Sequence, residues 1–279
     1  MDSYTVLYGV IGDPIRHSKS PVMLNRAFRE KGINGAYAAF HVTPERLGEA
    51  IAGIRALGFR GLNVTIPHKI EVMQHLDEIH PGALAAGAVN TIVNEGGRLI
   101  GYNTDGVGYV RSLKEEAEPS LAGRRIVVLG AGGASRGILW ALAQEQPAKL
   151  ILANRTEQKA REVANALASE FELETALWTD LREVCGEADV VINTTSVGMS
   201  PNTDAVPIDP TWLRPGAVAS DLIYNPLKTK FLAEAEAHGC RVHGGLGMFI
   251  YQGAYAFEYW TGESAPVSVM REAVMASFS

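Results

Sequence analysis

Lys69, Asp105 and a glycine run at 130–134 are the residues whose types and spacing suggest chemistry. Lys69 closes Asn63-Val64-Thr65-Ile66-Pro67-His68-Lys69, in which Pro67 ends a strand and opens a helix expected to run to about Ile79. A lysine in that first turn stands at the positive end of the helix dipole and asks for an answering anion or carboxylate, or else for solvent. Asp105, in Asn103-Thr104-Asp105-Gly106, precedes another helix, whose dipole holds an acid ionised even where capping alone would explain it. An acid so placed is what a partner for Lys69 would need, although a lysine simply reaching into solvent would explain Lys69 as well. The glycine run belongs to Arg125–Glu145, where the apolar stretch Ile126–Leu129 is followed by the glycines and then by a helix-period segment. That order brings backbone N–H groups at a helix start close to a phosphate. Gly130 and Gly132 occupy the first two glycine positions of the dinucleotide fingerprint, and Ser135 stands at the third. The next strand, Lys149–Ala153, ends in Asn154-Arg155-Thr156, where such a site meets the adenosine ribose. An acid there would repel a 2′-phosphate, whereas the Arg155 guanidinium can grip one, which favours NADP over NAD. Thr156 also reads as the N-cap of a helix over Glu157–Glu170, and the charge of Glu157 is partly offset by Lys159.

The elements that must hold these residues follow a βα rhythm. Tyr4–Ile11 reads as a strand, and Ser20-Pro21 as N-cap and N1 of a helix that runs to Gly32 with Met23, Leu24, Ala27 and Phe28 on its apolar face. Ser18 and Ser20, two hydroxyls before a helix start, offer a seat for a small carboxylate, although capping accounts for Ser20 by itself. Ala36–Val42 is a second strand, leading into a helix capped by Thr43 and closed by Gly58. Strand alternation puts Asn63 and Thr65 on a polar face and Val64 and Ile66 on an apolar one. Gly87–Val93, Asn94–Gly97 and Arg98–Tyr102 form a hairpin.

From Ile126 onward, strands at 126–130, 149–154, 174–178, 189–193, 217–222 and 241–243 alternate with helices, which predicts a parallel sheet covered on both faces. Asn193–Met199 follows the fourth of them, at the carboxyl end where ligands bind in such sheets. Gly244–Gly247 opens an aromatic helix over Met248–Trp260, read as core, in which Gln252 is the lone amide.

At 279 residues and net charge −6, with no basic stripe, the chain is not expected to bind nucleic acid. Its apolar runs are too short for a membrane span and its first residues lack the pattern of a signal peptide, so a cytoplasmic protein is expected. Cys185 and Cys240 lack metal spacing, as do the histidines, and no metal site is expected.

Several segments together resemble the shikimate dehydrogenase family: G-D-P-I-R-H-S-K-S-P at 12–21, N-V-T-I-P-H-K at 63–69, A-G-A-V-N-T at 86–91, N-T-D-G at 103–106 and G-A-G-G-A at 130–134. The likeness continues through N-R-T at 154–156, N-T-T-S-V-G-M at 193–199, D-L-I-Y-N-P at 221–226 and G-L-G-M with Gln252. It implies an α/β fold: an N-terminal α/β substrate domain, 1–103 with 248–279, plus a Rossmann-type NADP-binding domain, 104–247, with the active site in the cleft between them. It implies reversible NADPH-dependent reduction of 3-dehydroshikimate to shikimate, toward chorismate and the aromatic amino acids. Lys69 and Asp105 would be the catalytic pair. Ser18, Ser20, Asn63, Thr65, Asn90, Tyr224 and Gln252 would hold the substrate. Gly130, Ala131, Gly132, Gly133 and Ala134 would hold the pyrophosphate, Asn154, Arg155, Thr156 and Lys159 the adenosine phosphate, and Leu222 and Gly245 the nicotinamide end. The expected partner is a small molecule, and the expected state a monomer or homodimer. The chain departs from the family at Leu24, often histidine, and at Lys230, often proline. The rival readings are a quinate/shikimate dehydrogenase of broad specificity and a non-catalytic NADP-binding sensor.

Overall fold

Strand patterning produces two six-stranded sheets of different kinds. The computed structural model describes residues Met1–Phe278. The chain divides into one unit of Met1–Thr104 with the stretch from Ile250, and a second of Asp105–Phe249.

The first unit contains β1 (Val6–Gly12), α1 (Ser20–Glu30), β2 (Gly35–His41), α2 (Leu47–Ala56), β3 (Gly61–Val64), β4 (Glu78–Ile79), α3 (Pro81–Ala86), β5 (Thr91–Glu95) and β6 (Arg98–Tyr102). Its sheet runs β2-β1-β3-β5-β6-β4. β1 is parallel to β2 and β3, whereas β5 is antiparallel to both β3 and β6. One core gathers Ile11, Leu62, Val64, Ile92 and Leu99 from the strands against Ile51 and Ile54 of α2. Aromatic side chains form another: Tyr8 stacks on Phe28 at 4.6 Å, and the buried Trp260 donates its indole N–H to the Ile92 carbonyl at 2.9 Å.

The second unit contains most of α4 (Thr104–Glu116), then β7 (Arg125–Leu129), α5 (Gly133–Ala143), β8 (Lys149–Ala153), α6 (Glu157–Leu167), β9 (Glu174–Ala176), α7 (Leu181–Gly186), β10 (Val190–Asn193), β11 (Val218–Asp221), α8 (Lys230–Ala237) and β12 (Arg241–His243). The chain continues through α9 (Leu246–Thr261) and α10 (Val267–Ala276). All strands of the second sheet are parallel, in the order β12-β11-β10-β7-β8-β9. This is the doubly wound Rossmann order, whose reversal point lies between β7 and β10. Because helices cover both faces, its strands are continuous apolar runs: Ile126, Val127, Val128 and Leu129 are all fully buried. Among the described residues, no helix is long and apolar enough to cross a membrane.

Three expectations need correction. Pro67 does not open a helix to Ile79. The chain turns through 66–70, forms a 3-10 turn at Glu71–His75 and pairs as β4. The Lys69 carbonyl accepts the N–H of Val89 at 2.8 Å and is thereby taken from a helical ladder, so the dipole argument for Lys69 fails. Ser20 is the first residue of α1 rather than its cap. Lys19 holds the N-cap position without a side-chain bond, and the Ser20 amide donates to Ser18 Oγ at 3.3 Å. The helix after Thr43 begins as a 3-10 turn at Pro44–Arg46 before α2, and α3, with His80 as its cap, is an element the sequence pattern does not announce. Leu24 is fully buried in α1, as its apolar pattern requires.

Candidate functional site

In the second unit, a cavity of about 760 Å³ opens at the carboxyl ends of β7, β8 and β10. Its floor is the turn after β7. Gly130 has φ +107°, and a Cβ there would stand 2.7 Å from Thr195 Cγ2, so both conformation and space require glycine. A Cβ on Gly132 or Gly133 would instead meet nothing within 4 Å, which is the open cradle a phosphate needs. The amides of Gly133 and Ala134 lie in the first turn of α5, where no intrahelical acceptor reaches them. Ser135 fits the third fingerprint position because its hydroxyl turns back to the Gly132 carbonyl at 2.6 Å. Asn154 ties two loops together: it accepts the Ala131 N–H at 3.2 Å and donates to the Thr156 carbonyl at 2.8 Å.

Arg155, Thr156 and Lys159 line the same cavity and are exposed. Thr156 is the N-cap of α6, but its side chain makes no capping bond. The unwelcome carboxylate of Glu157 is engaged by Arg161 Nε at 2.9 Å, one helical turn on. Among the described residues, no acidic side chain pairs with Arg155 or Lys159, so their charge remains available to an anion. These donors, together with the open cradle, fit a dinucleotide carrying a 2′-phosphate.

Farther along the same sheet edge, the end of β11 is fixed by a buried acid. Asp221 accepts the Thr229 hydroxyl at 2.8 Å, the Ile223 N–H at 3.0 Å and the Asn193 amide at 3.2 Å. Burial outweighs these donors and pushes its pKa from 3.8 to about 6. The clamp shapes Leu222–Tyr224, and the Leu222 carbonyl lies 1.9 Å from where a Cβ of Gly245 would be, so that position admits glycine only. Tyr224 stacks on Phe249 at 5.4 Å. Asp105 stands in the first turn of α4, half-buried. Helix α4 is held on the sheet by Tyr109, whose hydroxyl meets Ser220 Oγ at 2.7 Å, and by Ser112, whose hydroxyl meets His243 Nε2 at 2.7 Å.

In the first unit, two of the sequence-predicted residues, Asn63 and Asn90, belong to a buried polar net. Asn63 Oδ1 accepts the Tyr37 hydroxyl at 2.7 Å, and its amide donates to Thr91 Oγ1 at 3.0 Å. Thr91 reaches Thr104 Oγ1 at 3.1 Å, and Asn90 accepts the Thr104 N–H at 2.8 Å while its own amide donates to the Thr104 hydroxyl at 3.0 Å. Ser20 lies buried beside Tyr37, whose phenol is pushed well above its ordinary pKa by burial. Ser18, Thr65, Lys69 and Gln252 are half-buried in this unit, Lys69 in the turn that follows Thr65.

Tyr37, Thr91, Thr104 and Asp221 lie outside the sequence-derived site. Tyr37 gave no signal, because its partner lies across the sheet. Asp221 did give one: an acid closing the buried run Val218-Ala219-Ser220 must find donors. Cys185 and Cys240 are both buried and unbridged, and burial pushes the Cys185 thiol up to about 12.

Comparison with known proteins agrees along the chain. Residues 10–92 match the family model of the shikimate dehydrogenase substrate binding domain, 112–200 that of shikimate / quinate 5-dehydrogenase, and 245–275 that of the shikimate 5′-dehydrogenase C-terminal domain. The chain is 51% identical over 281 residues to a shikimate dehydrogenase (NADP(+)) of Moorella thermoacetica, covering 98% of this chain and 95% of that one. It is 49% identical over 276 residues to the protein of that name from Geobacillus kaustophilus, covering 96% and 97%. Among solved structures, shikimate 5-dehydrogenase of Thermus thermophilus, in complex with NADP(H) and shikimate, superposes with TM-score 0.87 at 36% identity, covering 98% of this chain and 99% of that one. The chain belongs to the shikimate dehydrogenase family.

Proposed function

We propose that this protein is an NADP-dependent shikimate dehydrogenase that reversibly reduces the ring ketone of 3-dehydroshikimate to shikimate, a step toward chorismate and the aromatic amino acids. The observation that carries the reading is the meeting, in one chain, of a parallel-sheet cavity bearing Arg155 and Lys159 with a separate net of hydroxyl and amide side chains. The first suits a 2′-phosphorylated dinucleotide; the second suits a small, polyhydroxylated carboxylate.

In this reading Met1–Thr104 with the C-terminal stretch binds substrate, and Asp105–Phe249 binds cofactor. Gly130–Ala134 hold the pyrophosphate, Arg155, Thr156 and Lys159 the adenosine phosphate, and Asn154 shapes the loop between them. Leu222 and Gly245, braced by Asp221, border the nicotinamide end. Bound NADPH supplies the hydride. Ser18, Ser20, Asn63, Thr65, Asn90, Tyr224 and Gln252 orient the substrate, and Asn63 and Asn90 are held in one rotamer by their neighbours before substrate arrives. Lys69 and Asp105 together hold the proton that joins or leaves the reacting oxygen. The reading extends to a cytoplasmic enzyme, monomer or homodimer, with no nucleic-acid or membrane partner.

The test is product identification by NMR after mixing the protein with 3-dehydroshikimate and NADPH. Shikimate is expected to appear mole for mole with the NADPH consumed. Consumption of NADPH without shikimate, or no consumption, would overturn the assignment.

A further inference from the structure

The cavity that carries Arg155 and Lys159 also has an apolar side, lined by Trp178, Val206 and Pro207, that phosphate binding does not explain. Trp178 begins a 3-10 turn just after β9. It is half-buried and packs, with Val206, against the core that includes Leu181, Cys185 and Ile208. That anchoring fixes the indole while leaving part of it to the cavity. Strands β8 and β9 are parallel, with Ala153 opposite Ala176. Arg155 and Trp178 each follow two residues beyond that pair, so they leave the sheet from adjacent strands, which lie about 4.8 Å apart.

This adjacency matches the chemistry of a 2′-phosphorylated adenosine. The phosphate hangs from C2′ of the ribose and the base from C1′, the next carbon. A guanidinium holding the phosphate therefore leaves the base beside it, and the indole is the flat apolar surface at that place. We infer that the adenine ring of the cofactor stacks on Trp178, an inference that rests on the NADP reading above. Stacking on an aromatic face needs no hydrogen-bond pattern and adds affinity through the π surface alone. The two neighbours thus have separate roles, in which Arg155 reads the phosphate that separates NADP from NAD and Trp178 holds the base that both share.

The experiment is calorimetric titration of the full chain with 2′,5′-ADP and with NAD, comparing the parent with Trp178→Ala, Trp178→Phe and Arg155→Ala. Trp178→Ala is expected to weaken both ligands, each by roughly tenfold, and Trp178→Phe to stay within about threefold of the parent. Arg155→Ala is expected to weaken 2′,5′-ADP alone. Intrinsic fluorescence supplies a second readout: binding of 2′,5′-ADP quenches the parent, and the quench disappears in Trp178→Phe although Trp140, Trp212 and Trp260 remain. Parent-like affinity in Trp178→Ala, or a quench that persists in Trp178→Phe, would overturn the inference; should the alanine variant fail to fold, the quench decides. A parent that does not bind 2′,5′-ADP would instead sink the NADP reading and this inference with it.

Discussion

The two units prepare their candidate sites in opposite ways. In Asp105–Phe249 the candidate ligand-facing groups are loop backbone and long, solvated cations at the ends of parallel strands: the cradle of Gly132 and Gly133, then Arg155 and Lys159. In Met1–Thr104 the candidate groups Asn63 and Asn90 belong to a net of buried side chains already bonded to one another, from Tyr37 through Asn63 and Thr91 to Thr104. The difference follows from what each ligand offers. A dinucleotide presents phosphates, which any well-placed N–H or cation satisfies, so its site tolerates mobile arginine and lysine side chains. A small hydroxylated acid is told from its analogues by single hydroxyls, and that discrimination requires polar groups whose positions do not adjust. A buried net in which each member restrains the next supplies such rigidity.

The comparison can be broken most severely at Lys69. Lys69→Ala is expected to lower kcat by about 10²–10⁴-fold while NADPH affinity, measured by fluorescence titration, stays near that of the parent. Unchanged turnover would remove Lys69 from the chemistry.

The next effect lies in the second unit, at Asp221. Its folded-state pKa of about 6 stands above the ordinary 3.8, so the folded protein binds the extra proton. The stability this contributes is complete below the lower value and lost as pH rises through the upper one. Asp221→Asn removes that dependence, so the difference in unfolding free energy between variant and parent should change across this window by up to about 3 kcal/mol and be flat above it. Urea melts at a series of pH values would measure it, and a constant difference would contradict the buried-acid account.

Arg155→Ala should cost the NADP complex about 1.5–3 kcal/mol and leave NAD affinity and shikimate KM unchanged, because a charge-assisted phosphate contact disappears. Equal losses for both cofactors would contradict it. The smallest effect is expected at Tyr37→Phe, which deletes one hydroxyl from the rigid net with little change of shape. It should lower stability by about 1–2 kcal/mol and raise the shikimate KM severalfold without touching cofactor affinity; a change in NADPH binding would deny that the two sites are prepared separately.

The same contrast explains what was legible in the sequence. The glycine turn, Arg155 and the alternation of strands and helices announce the parallel sheet, because backbone recognition leaves its mark in consecutive residues. Asn63 and Thr65 were visible as the polar face of a strand. Tyr37 was not, since its hydroxyl finds Asn63 across 26 positions of chain. Pro67 reads as a helix start because local propensity favours one there, but the Lys69 carbonyl is claimed by Val89, a long-range partner no local pattern announces. Ser20 reads as a cap, whereas it is the first residue of α1 and lies buried beside Tyr37. Trp178 looks like any strand-end aromatic until the register of β8 and β9 sets it beside Arg155.

The measurement that tests the account most directly is the near-ultraviolet absorbance of reduced nicotinamide, followed with the purified protein while shikimate and quinate are each paired with NADP and with NAD. The account predicts rapid reduction with shikimate and NADP and little in the other three pairings. Preference for quinate or for NAD would contradict the assigned substrate or the assigned role of Arg155, and silence in all four would contradict the enzyme itself.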